Sequence, residues 1–256
     1  MGGGWSAGGH ATLFDPWALA GQIGAAVFLA LLAWIVLRAI VQRAHYRAVG
    51  VLSPADNEAV HAALVAAERR TVGEILPVVI ERSDPHPGAE WLAALSFLLV
   101  GSSLLIAWLP WSHPAWLLLA QLAIGALGFG LARALPGLQR LFIAEARATA
   151  VAEEQALQEF YRNGLHRTEA ATGVLLFVSL LERRAIVLAD EGIHARVGPD
   201  FWAETDRAVL EGIRRGSLRD GLVAGVQRVG ERLAEHFPWR DGDRNEIPNR
   251  LIVRRE

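Results

Sequence analysis

Three uninterrupted apolar stretches alternate along the chain with mixed segments in which polar and apolar positions interleave. Trp17 to Leu37 runs 21 residues without a charge, Trp91 to Leu109 runs 19, and Ala115 to Ala132 runs 18. At about 1.5 Å rise per residue, stretches of this length suit the roughly 30 Å hydrocarbon core of a bilayer. The pattern predicts transmembrane helices at 17–37, 91–109 and 115–132, preceded by a short extracytoplasmic tail at 1–16. Pro110-Trp111-Ser112-His113-Pro114 joins the last two as a tight hairpin, with Trp108, Trp111 and Trp116 at one interface. A cleavable signal peptide is the rival reading of the first stretch, but residues 1–15 hold no Lys or Arg and the apolar run is too long for one.

The mixed segments carry their own periodicities. Ser53 and Pro54 open a helix with Val60, Ala63, Leu64 and Ala67 on one face, which Gly73 is expected to end. Glu74 to Ile80 reads as a strand, and Pro77, which cannot donate a hydrogen bond, argues for an edge position or a bulge. A long helix follows the hairpin from about Gly137 to Arg162. Thr172 to Ser179 is nearly all apolar and reads as a central strand. Glu182 to Arg184 is a polar turn, and Ala185 to Ala189 completes a strand hairpin. Two helices close the domain, one opening at Gly198-Pro199-Asp200 and one capped by Ser217 with Asp220 three residues on. The fold class is α/β: a mixed-sheet sandwich at 53–82 and 137–238, interrupted by a transmembrane hairpin, with an N-terminal transmembrane helix and a tail at 239–256.

Charge orients this arrangement. Arg38, Arg43 and Arg47 follow the first span and Arg133, Arg140 and Arg147 follow the third, whereas the N-terminal tail and the hairpin loop have no Arg or Lys. By the positive-inside rule the N-terminus is outside, and the split domain and C-terminus are cytoplasmic. Gln22, Gln121, Ser102 and Ser103 fall at one depth and predict a polar layer. Gly21, Gly24, Ala25, Gly125, Gly128 and Gly130 predict close helix approach. A hydrophobic content of 52% and a mean hydropathy of +0.27 fit a membrane chain. A net charge of −2 gives no global field that favours nucleic acid, and the apolar spans make the lipid bilayer, with another membrane protein beside it, the expected partner. The chain has no cysteine and no lysine, which excludes thiolate chemistry, Cys-ligated metals, Schiff bases and a Walker loop.

Several motifs resemble one family. Glu68-Arg-Arg-Thr71-x-Gly73-Glu74-Ile75, Phe160-Tyr-x-x-Gly164-Leu-x-x-Thr168 and Gly173-Val-Leu-Leu-Phe-Val178 are followed by Asp190-x-Gly192-Ile193, Val197-Gly198-x-x-Phe201-Trp202, Gly221-Leu-x-x-Gly225-Val and Glu235-His236-Phe237-Pro238. Together they resemble the TPM domain, or TPM phosphatase domain, over roughly 53–82 and 140–238. The tail Asn245-Glu246-Ile247-Pro248 resembles the end of bacterial membrane-anchored members with an interrupting hairpin. The resemblance implies a compact α/β sandwich and a multi-pass protein of the bacterial inner membrane. It also implies one of two roles, because some members are described as calcium-binding acid phosphatases and others act as accessory proteins of membrane complexes.

Candidate chemistry was sought with both roles in view. Glu74 at the head of the first strand, with Asp190 and Glu191 after the third, are oxygen donors suited to a hard cation such as Ca²⁺ or Mg²⁺. His194 is a further ligand or general acid, and Arg167 a phosphate clamp. Each has a plainer reading: Asp190-Glu191-Gly192 suits a turn in which Gly supplies positive φ, and Arg167 with His166 suits a solvated helix end. Asp241-Gly-Asp243-Arg-Asn245 begins like an EF-hand loop but has Glu246 at the sixth position and Ile252 at the twelfth, so that reading is rejected. No GxSxG, HExxH or GxGxxG occurs in the soluble segments, and no nucleophile with its base can be named. The two function classes are a non-catalytic interaction or accessory module for a membrane partner, which is preferred, and a metal-assisted phosphomonoesterase. The first strand leads into the hairpin through about nine residues, so its end is expected to face the membrane.

Overall fold

Ser53 caps the first helix of the domain as the sequence predicts. Its hydroxyl accepts from the Asp56 N–H, and the Asp56 carboxylate accepts from the Ser53 N–H at 2.9 Å, a reciprocal box that starts α2 (Pro54–Glu68). The computed structural model describes residues 26, 30, 32–42, 46, 52–108, 114–194, 196–215 and 217–254. Before α2 it describes a helix α1, Leu32–Gln42. Most of the first predicted span, with Gln22, Gly21, Gly24 and Ala25, lies outside the described residues, as does the loop 109–113.

Helix α2 stops at Glu68, before Gly73, because a distant carbonyl claims the next residues. Thr71 Oγ1 and Val72 N–H both donate to the Phe237 carbonyl, at 2.6 Å and 3.1 Å, and pull the chain out of the helix. Strand β1 (Glu74–Ile80) follows. Helices α3 (Pro87–Trp108) and α4 (Pro114–Ala134) come next, then α5 (Glu145–Arg162), β2 (Gly173–Ser179), β3 (Arg184–Ala189), α6 (Pro199–Arg215), α7 (Leu218–His236) and β4 (Ile252–Arg254). The sheet order is β3-β2-β1-β4, with β1 parallel to both neighbours and β2 antiparallel to β3.

This sheet corrects two expectations. First, β1 is central, despite Pro77. Backbone groups alternate along a strand: Glu74 N–H and Ile80 C=O bond on the β2 side, and Glu81 N–H bonds to Arg254 on the β4 side. Pro77 shares the parity of Glu81, so its missing donor faces β4. That strand begins only opposite Val78, so no ladder bond is lost. Second, the tail contains β4, which is also tied down by Arg254 at 3.4 Å from the buried Glu159. Three residues are too short a run to show a period.

The two faces of the sheet divide the core. Ile75, Val79, Val174, Leu176 and Val178 pack beneath α2, α6 and α7 with Leu64, Trp202, Val209, Leu222 and Val226. Leu76, Val78, Ile80, Leu175 and Phe177 pack beneath α5 with Ala152, Ala156 and Phe160. Burial on both faces explains why β2 reads as an unbroken apolar run. β3 is an edge, and Asp206 of α6 blunts it by accepting from the Val187 N–H at 2.8 Å. Burial pushes the Asp206 carboxyl up to about 7.

The predicted helix 137–162 is broken. A turn at Pro136–Gln139 and a 3₁₀ turn at Arg140–Phe142 precede α5, and Ile143 and Ala144 are extended between them. The break redirects the chain from the hairpin into the domain. Within the hairpin, α3 and α4 pack as neighbours through small residues. A Cβ at Gly128 would lie 2.7 Å from Phe97, and Gly125 faces Ala94 and Leu98. Gly101 does the same against Ile124, whereas Gly130 faces open space. Ser103 donates to the Leu99 carbonyl of its own helix. Both helices are long and apolar enough to cross a membrane by length and composition, and Trp91, Leu99, Leu118 and Leu122 stand exposed on them.

A buried polar knot joins the hairpin to the sheet. Glu182, fully buried in the β2–β3 turn, accepts from the Ser83 N–H at 3.1 Å and from Ser179 Oγ, and meets His86 Nε2 at 2.6 Å. Burial alone would raise this carboxyl, but hydrogen bonds from His86, Ser179 and Ser83 hold it below the usual range. Across the hairpin base, Gln139 Nε2 donates to the Pro85 carbonyl at 2.8 Å. Replacing Glu182 with Ala leaves buried donors without an acceptor. The Tm of the detergent-purified full chain should fall by roughly 6 °C or more, with a smaller fall for Glu182→Gln. An unchanged Tm for Glu182→Ala would show that the knot contributes nothing.

Candidate functional site

The sheet has a proximal end, from which the hairpin leaves, and a distal end about 20 Å away along β1. All the carboxylates singled out from sequence lie at the distal end. Glu74 heads β1, opposite Gly173 of β2. Asp190 follows β3, and its N–H donates to the Gly173 carbonyl at 2.9 Å. β2 therefore lies between Glu74 and Asp190, and their backbones are about two strand spacings, or about 10 Å, apart.

Their side chains have different partners. Both Glu74 oxygens accept backbone N–H groups from the tail, Glu246 at 2.9 Å and Ile247 at 3.3 Å. The Asn245 amide, oriented by its surrounding donors and acceptors, adds a bond to Oε2 at 3.1 Å. Asp190 accepts from the Glu191 N–H at 2.8 Å, and its carbonyl accepts from Ile193 and His194 N–H, which starts the single turn Glu191–His194. Gly192 sits inside that turn, and its φ is not positive. It is needed there because a Cβ would lie 2.7 Å from the Ala171 carbonyl. Glu191, His194 and Arg167 are exposed, and Arg167 Nε donates to His166 Nε2 at 3.2 Å. As placed, Glu74, Asp190 and Glu191 do not converge on one point. Among the described residues no three His, Asp or Glu side chains are arranged to hold a metal ion.

The distal end instead assembles a cleft of about 240 Å³, lined by Glu68, Thr71, Glu74, Asp243, Asn245 and Asn249 among others. Glu68 Oε1 accepts from the Ile75 N–H at 3.2 Å. Burial, opposed by that bond and reinforced by the nearby Glu74 charge, pushes its carboxyl up to about 8. Burial likewise raises Glu74, against the pull of the Glu246 and Ile247 N–H groups. The cleft thus pairs a carboxyl that holds its proton near neutral pH with one fixed by backbone amides. Sequence reasoning named Glu74 alone from this pair. The other signal is the Asp241-Gly-Asp243-Arg-Asn245 run, of which Asp243 and Asn245 line this cleft.

Because Glu68 holds its proton more tightly in the folded state, the native chain keeps an extra proton between the ordinary Glu range and about pH 8. Stability from this group is fully present at low pH and is lost as pH rises through about 8. Glu68→Gln should flatten the fall in Tm between pH 6 and 9, so that the variant is relatively more stable at the alkaline end. Identical pH profiles for the two proteins would contradict this.

Comparison with known proteins follows the split architecture. No curated protein matches the chain. A fold comparison returns the NMR structure of BA42 protein from the psychrophilic bacterium Bizionia argentinensis. The two are 21% identical with a TM-score of 0.49, over 79% of this chain and 94% of that one. Residues 139–232, from the hairpin base through α5, β2, β3 and α6 into α7, match the sequence profile of the TPM domain.

Proposed function

We propose that this chain is a multi-pass membrane protein whose TPM domain acts on the cytoplasmic side as a non-catalytic accessory module for a membrane partner. The observation that carries the reading is the exposed apolar surface of the α3–α4 hairpin. Trp91, Leu95, Leu99, Leu118, Leu119 and Leu122 are each more than half exposed on two long neighbouring helices. A water-facing patch of that kind is unfavourable, and lipid or a membrane protein removes the penalty. Arg133, Arg140 and Arg147 at the hairpin base support a cytoplasmic domain, since the loop 109–113 holds no Arg or Lys. The Glu182 knot supports a module that moves with its anchor, because it binds the chain just before α3 to the β2–β3 turn.

The non-catalytic half of the reading draws on Glu74, whose two oxygens are occupied by backbone amides. The absence of cysteine makes topology directly testable. A single Ser112→Cys change should react with a membrane-impermeant maleimide on intact cells, and Glu211→Cys only after permeabilisation. The reverse pattern would invert the topology, and release of the chain by alkaline carbonate would remove the anchor. Purified full chain should leave a generic phosphomonoester intact with either Ca²⁺ or Mg²⁺. Turnover that falls in a Glu74→Gln, Asp190→Asn variant would replace the accessory role with the phosphatase one.

A further inference from the structure

Where α1 and the hairpin base meet the proximal end of the sheet, two crevices adjoin. One, of about 290 Å³, runs between Gln42, Tyr46, the β2 end, Arg183 and the last turn of α6 at Arg214. The other, of about 190 Å³, is lined by Trp34, Arg38, Gln42, Arg140 and Arg183 among others. They share Gln42 and Arg183, so four arginines face one continuous cleft.

These arginines are short of anionic partners. Arg38 lies over the Trp34 ring, and Arg183 donates to the Tyr46 hydroxyl and lies over its ring. Neither they nor Arg214 has a carboxylate partner among the described residues. Arg140 is the exception, since one of its terminal nitrogens meets Glu145, which also takes Arg184. Yet the Arg140 side chain is nine-tenths buried, and its Nε has no acceptor among the described residues. Its Nη1 donates to the Ile143 carbonyl at 3.0 Å, so Arg140 is already held in place, and the three arginines without a carboxylate are the ones left to meet an oxygen anion. Apolar side chains stand beside the charges: Trp34 and Leu141 line the cleft and are both well exposed. A soluble anion satisfies only the arginines. An anionic amphiphile satisfies both walls, and the cleft opens at the foot of the apolar helices, where such molecules are concentrated.

We infer that this cleft binds the phosphodiester headgroup of an anionic phospholipid, with Arg38, Arg140, Arg183 and Arg214 around the phosphate and Trp34 and Leu141 against the glycerol and upper acyl chain. The inference rests on the membrane anchoring proposed above. Arg183 lines both crevices, Arg140 lies at the hairpin base, and Arg38 and Arg214 approach from α1 and α6, so the lipid would join the N-terminal helix to the domain.

The test uses the full chain purified in a neutral detergent and titrated separately with dihexanoyl phosphatidylglycerol, dihexanoyl phosphatidylcholine, glycerol 3-phosphate and inorganic phosphate. Binding is read as a Tm shift and as retained lipid in native mass spectrometry. Phosphatidylglycerol should raise the Tm and remain bound, and the other three should do neither at the same concentration. Arg183→Gln and Arg214→Gln should each weaken binding about tenfold. Arg214→Gln is the cleaner change because Arg214 is exposed on the last turn of α6, and Arg214→Lys should recover part of the loss. Equal binding of phosphatidylcholine overturns the site, as does equal binding of free phosphate or undiminished binding by both Gln variants. Carbonate extraction separates the two readings. A chain released from membranes loses its anchoring, whereas an integral chain indifferent to phosphatidylglycerol loses only this lipid site.

Discussion

Parallel pairing of β1 with β2 is the constraint around which the chain is arranged. Two parallel strands cannot be joined by a turn, because the chain must travel back to the end where the first strand began. The 18 residues of α5 supply that return, about 27 Å of helix against the face made by Leu76, Val78, Leu175 and Phe177. The α3–α4 hairpin goes out and back and adds no net displacement, so it fits into a connection that was already needed. Its two feet must then lie together, and the Gln139 to Pro85 bond and the Glu182 knot hold them at one end of the sheet.

That arrangement gives the domain two unlike ends. The distal end gathers carboxyls and amides, some buried enough to hold protons near neutral pH, beneath a tail strapped to Glu74. The proximal end gathers arginines beside aromatic and aliphatic side chains. Between the two chemistries lie the layers of Val, Leu, Ile and Phe that cover both faces of the sheet.

What could be read from sequence was what short-range physics determines. Ser53 and Ser217 announced their helices because a hydroxyl before an acidic third residue answers the free amides of a helix start. β2 announced its central place because burial on both faces leaves no polar position. What escaped depends on partners far along the chain. The stop at Glu68 is set by Phe237, the tolerance of Pro77 by where β4 happens to begin, and the break before α5 by Arg140, whose Nη1 donates to the Ile143 carbonyl at 3.0 Å. The same holds for the distal cleft. Glu68 and Asn249 are 181 positions apart, and nothing local to either marks them as neighbours. The carboxylates that could be guessed, Glu74 and Asp190, share a sheet end, but β2 and the tail give them separate surroundings.

β4 carries a consequence for the order in which the molecule can be made. The ribosome delivers β1 first, then the apolar hairpin, then β2, and after all of these the three residues that close the other flank of β1. Until those residues emerge, the outer edge of β1 stays unpaired and the amides that hold Glu74 are missing. The domain therefore cannot reach its final form until β4 has emerged, by which time the hairpin has long been synthesised.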